Sequence, residues 1–75
     1  MTRENNIYSR PHQAMGEKLR LARLEAKLTQ YAVANLLDTS QSCVSKIELS
    51  QCHVDAITLA SFAKLYKKDV EYFLS

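Results

Sequence analysis

Seventy-five residues with a net charge of +2 hold one domain at most, and a chain of this length buries only roughly 60–65% of its unfolded surface, so its stability is modest. One glycine and one proline argue against a turn-rich sandwich and for helices. No apolar run approaches the roughly 20 residues of a membrane span, and the weakly basic balance permits a nucleic-acid partner without demanding one.

Residues 1–10 are polar and without period, and they read as a flexible N-terminal arm carrying Arg3 and Arg10. Pro11 suits the first turn of a helix, which is predicted to run to about Lys27 with Met15, Leu19, Ala22 and Ala26 on one face. Arg23 falls beside that stripe, where an unpaired charge is costly, so it needs a partner. Thr29 reads as the N-cap of a second helix over about 30–37, with Val33, Ala34 and Leu37 inward. Asp38-Thr39-Ser40 breaks the pattern with turn and cap residues. A third helix follows Ser40 and ends near Leu49. Asp55 caps a fourth, whose apolar face is predicted to hold Ile57, Leu59, Phe62, Ala63 and Tyr66. Asp69 precedes a short fifth helix, Val70 to Leu74. Tyr72, Phe73 and Leu74 there either close the core over the first helix or form a dimer seam. The expectation is a compact all-α domain of five helices over 11–75.

The stretch from Thr29 to Glu48 organises the rest. In its second helix Val44 and Ile47 face inward, which leaves Gln41, Ser42, Ser45 and Lys46 outside. Gln, Ser and Lys opposite a buried face suit base edges and phosphates in a DNA major groove, and the two-helix spacing is that of a helix-turn-helix.

Other chemistry finds little support in the residues. Cys43 and Cys52 lack CxxC spacing, and His53 adds too few ligands for zinc, so no metal and no cofactor is expected. Cys43 reads as an inert small core thiol. There is no Ser-His-Asp register, glycine-rich phosphate loop or facing carboxylate pair, so an enzyme is not expected. His12 and His53 read as surface residues. Two free thiols and the lack of a signal-peptide pattern point to a cytoplasmic protein.

From Gly16 to Leu74 the chain resembles the phage repressor and Cro family of helix-turn-helix domains, the lambda-repressor-like fold. The matching pieces are Leu19-Arg20 with Arg23, Leu28-Thr29-Gln30, Val33-Ala34, Ser40 to Ser42, Val44 to Glu48, Thr58-Leu59, Phe62-Ala63 and Val70 to Leu74. No one piece is specific; their ordered register is. The resemblance implies that Gln30 contacts a phosphate at a helix N-terminus, that Gln41 and Ser42 meet base edges, and that Lys46 reaches a base or phosphate one turn on. Ser40 and Ser45 belong to the same DNA-binding set. It also implies a salt bridge between Arg23 and Glu48, joining helices 1 and 3. The family often carries glycine at four corners where this chain has Lys27, Asp38, Ser50 and Lys67.

The function expected is sequence-specific binding of double-stranded DNA by a transcriptional regulator, a repressor working as a homodimer on a palindrome. The alternative is an antitoxin or controller-type component, whose main ligand is a protein partner (a toxin or a regulator) and which binds DNA for autoregulation.

Overall fold

The computed structural model describes residues 10–74, with side chains from residue 14 onward. It contains five helices: α1 (Arg10–Glu25), α2 (Gln30–Leu36), α3 (Gln41–Glu48), α4 (Ala56–Tyr66) and α5 (Val70–Leu74). There is no strand among the described residues. The segment 1–9, with Arg3, Ile7 and Tyr8, lies outside them, and Arg10 is the first residue of α1.

Three helices start where a short oxygen-bearing side chain can accept an otherwise unpaired amide. Thr29 Oγ1 accepts from the Ala32 amide at 3.0 Å, Ser40 Oγ from the Cys43 amide at 3.0 Å, and Asp55 Oδ1 from the Thr58 amide at 2.7 Å. The Thr58 amide holds the Asp55 carboxyl below its ordinary range. A depressed folded-state pKa means that this cap acts above the unfolded pKa and is lost as pH falls through the folded one.

The first four helices end in the same way. The amides of Leu28, Thr39, Gln51 and Lys68 reach back to the carbonyls of Arg23, Ala34, Lys46 and Ala63. The preceding amides of Lys27, Asp38, Ser50 and Lys67 reach those of Leu24, Asn35, Ile47 and Lys64. This is the Schellman pattern, which requires a left-handed residue after the helix. Here that residue is never glycine: Lys27, Asp38, Ser50 and Lys67 have φ of 60°, 56°, 61° and 59°. A side chain in this region costs up to about 1 kcal/mol relative to glycine, and Asp tolerates it better than Lys. Lys67→Gly is therefore expected to raise the melting temperature by several degrees and Asp38→Gly by less. Unchanged or lowered thermal midpoints by circular dichroism would contradict this.

The core comprises Leu19 and Ala22 of α1, Val33 and Ala34 of α2, Val44 and Ile47 of α3, Leu59, Phe62, Ala63 and Tyr66 of α4, and Phe73 of α5. Helix α3 packs on α2 and α1, and α5 closes over α1 and α4. Phe73 is wholly buried. Tyr72 packs edge-on against it and lies beneath the ammonium groups of Lys18 and Lys68, while Leu74 stays exposed. Phe73 thus closes the core over α1 and α4, with Tyr72 half-buried beside it.

Two core expectations are corrected. Helix α1 ends at Glu25, and Ala26, whose amide still bonds to the Ala22 carbonyl just before the left-handed Lys27, is exposed at the helix end rather than buried with the stripe. Ile57 is 81% exposed: at 100° per residue it lies about 200° from Leu59, on the opposite side of α4. The sole glycine has a role that composition hides. Gly16, buried inside α1, crosses the end of α3 so closely that a Cβ would stand 2.7 Å from the Glu48 carbonyl oxygen and 3.0 Å from that of Ile47.

Candidate nucleic-acid interface

Helices α2 and α3, with the turn 37–40 between them, carry the candidate interface residues. Val44 and Ile47 anchor α3 in the core, and its three-residue offset turns Ser42 and Lys46 to solvent. Gln41 and Ser45 are half-buried on the flanks of that face. Ser40 is exposed, with its oxygen engaged as the N-cap.

Beneath this face runs a connected set of polar side chains from three helices. Arg23 Nε donates to Glu48 Oε2 at 2.7 Å, and Arg23 Nη2 to Glu48 Oε1 at 3.1 Å, which makes a two-pronged ion pair between α1 and α3. Arg23 Nη1 also donates to the Leu28 carbonyl at 3.0 Å, tying in the corner before α2. Both residues are buried. The hydrogen bond to Glu48 raises the Arg23 pKa above its ordinary value, against the opposing effect of desolvation. Glu48 Oε1 also accepts from Gln30 Nε2 at 3.0 Å, and Gln30 Oε1 accepts from Gln41 Nε2 at 2.7 Å. Gln30, the first residue of α2, is thus held by α3 at both ends of its amide. The awkward charge of Arg23 and the family resemblance both pointed to its pairing with Glu48; the Gln30 and Gln41 links depend on helix crossing and have no signature in spacing.

Next to the pair, the Tyr66 hydroxyl is buried without a hydrogen-bond partner among the described residues. Burial pushes the phenol well above its ordinary range; the Glu48 carboxylate adds to the shift and Arg23 opposes it. Cys43 is half-buried and lines a pocket of about 290 Å3 with Leu37, Ile47 and Phe62, on the α4 side of α3. Among the described residues no three His, Cys, Asp or Glu side chains are grouped to hold a metal ion, and no helix is long and apolar enough to cross a membrane.

The family model of the helix-turn-helix domain matches residues 14–71, which takes in every residue of this network and all but the ends of the described chain. A search of curated proteins and one of solved structures return no match.

Proposed function

Since the chain belongs to the helix-turn-helix domain family, a family of DNA-binding domains, we propose that it is a sequence-specific transcriptional regulator of the phage repressor and Cro type, acting as a cytoplasmic repressor. Helix α3 enters the major groove with Gln41 and Ser42 at base edges, Lys46 a turn further on, and Ser40 and Ser45 beside them. Gln30 meets a phosphate at the N-terminus of α2, using the N–H of its amide that Glu48 leaves free. The observation that carries this reading is the polar face of α3, with Ser42 and Lys46 exposed and Gln41 and Ser45 half-buried at its flanks, set opposite the buried Val44 and Ile47. One such helix offers too few contacts for a long operator, so two copies bind a palindrome with their α3 helices roughly 34 Å apart.

Fluorescence anisotropy with random duplex DNA across a salt series tests the reading. Affinity is expected to fall steeply with salt. Gln41→Ala/Lys46→Ala should bind more weakly at every salt concentration, and loss of Lys46 should lower the salt slope by about one. Absence of binding at low salt, or equal binding by the double variant, would remove α3 as the DNA-contacting element.

A further inference from the structure

The pocket of about 290 Å3 between α3 and the start of α4 is more enclosed than the hollows at the α1–α2 corner and beside α5. Its lining is apolar: Ile47 and Phe62 are buried there, and Leu37 and Cys43 half-buried. Two exposed residues of the lining stand out. Ile57 holds a branched apolar side chain almost wholly in water, where a ligand with an apolar body would cover it. Asp38 is the one charged residue of the lining, and its carboxylate engages no described residue. The left-handed corner at φ 56° fixes its place at the end of α2. An apolar hollow with a single convergent charge is the usual make-up of a small-molecule site.

We propose that this pocket binds a small hydrophobic amine, with its ammonium group at Asp38 and its apolar body against Ile47, Phe62 and Ile57. The chemistry of the lining selects that class. An acid of the same shape is repelled by Asp38, since no Lys or Arg lines the pocket to offset it. A neutral apolar molecule shields the carboxylate from water and gives it no partner. An ammonium supplies the partner and has three N–H donors, of which the Thr39 hydroxyl, in the same lining, can accept one. A ligand seated here touches α3 directly, through Cys43 and Ile47. The proposal concerns a second site and does not depend on DNA being the partner of α3.

The two cysteines provide the test. Cys43 lines the pocket and Cys52 does not, and both are half-buried thiols. Lys46 lies between them in the chain, so trypsin places them on separate peptides. The full chain is alkylated with N-ethylmaleimide in the presence of 2-phenylethylammonium, phenylacetate or ethylammonium, and the rate at each cysteine is read by mass spectrometry. A ligand of this size is expected to bind with a dissociation constant on the order of 1–10 mM. Near saturation 2-phenylethylammonium should slow alkylation of Cys43 by roughly threefold or more and leave Cys52 unaffected. Phenylacetate, which has the opposite charge, and ethylammonium, which lacks the apolar body, should protect neither. Amide resonances of Thr39, Cys43 and Thr58 should shift in step with the protection.

Asp38→Asn keeps a side chain that tolerates the left-handed corner and removes the charge. Because Asp38 is exposed, the variant is expected to weaken binding by roughly three- to fivefold. Ile57→Ser, also at an exposed position, should weaken it by a similar factor. Absence of protection at Cys43, equal protection by phenylacetate, equal protection of both cysteines, or undiminished binding in Asp38→Asn overturns the proposal.

Discussion

Arg23→Ala should lower the melting temperature by well over 10 °C, while Arg20→Ala, three residues earlier on the same helix, should leave it nearly unchanged. Both substitutions remove one positive charge. They differ in what is left behind. Arg20 is exposed, and such sites usually change stability by no more than about 0.5 kcal/mol. Arg23 is buried, and its loss strands the Glu48 carboxylate in the interior and leaves the Leu28 carbonyl without its donor. Breaking a buried pair on one side costs about 3–5 kcal/mol. In a domain of this size each kcal/mol corresponds to roughly 4–8 °C. Replacing both partners by apolar side chains removes the charge as well as its partner, so Arg23→Met/Glu48→Leu should recover most of the loss. Equal thermal midpoints for the two alanine variants would refute the account.

Gly16→Ala should also be strongly destabilising, although it places a better helix former in the middle of a helix. Propensity favours alanine there by about 1 kcal/mol. Against that gain, the added Cβ would lie 2.6 Å from Ser50 Oγ, 2.7 Å from the Glu48 carbonyl oxygen and 3.0 Å from the Ile47 carbonyl oxygen. The Ser50 side chain can rotate away; the two carbonyls belong to the last turn of α3 and move only if the helix moves. Overpacking of this kind costs about 3 kcal/mol at the upper end of its usual range, and sometimes more. The net loss should be about 2 kcal/mol or greater, read as a fall of roughly 10 °C in thermal midpoint. A midpoint equal to or above that of the wild type would mean that α1 and α3 separate freely, contrary to the tight crossing seen here.

These two residues mark the boundary of what the sequence can tell. The starts of α2, α3 and α4 were legible because Thr29, Ser40 and Asp55 act on amides three residues away. The inward faces of α2 and α3 were legible because periodicity is local. Ile57 misled because hydrophobicity was followed where the spacing to Leu59 no longer fitted one face. Ala26 misled because the spacing continues to the last residue before the left-handed Lys27, where the end of the helix is exposed. The four corners were indicated by resemblance alone, since Lys, Asp and Ser carry no strong signal for a left-handed backbone. The role of Gly16 had no sign in the sequence, because the α3 carbonyls that require it lie more than 30 positions away in the chain. The polar face of α3 was visible as a pattern, but its support was not. Gln30 and Glu48 are 18 residues apart, and nothing short of the helix crossing brings them together.

Helix α3 is clamped at both ends. Its start is held by the Ser40 cap and by Gln41 on Gln30, and its end by Glu48 on Arg23 and by the close passage of Gly16. Such a helix has little freedom to tilt or bend toward an imperfect site. On the DNA-binding reading, the adjustment therefore falls to the duplex, and its stiffness enters the binding free energy. Base pairs between the half-sites that no side chain touches would then matter through how easily they twist or narrow the groove, with flexible pyrimidine–purine steps and stiff A-tracts giving different affinities for the same contacts.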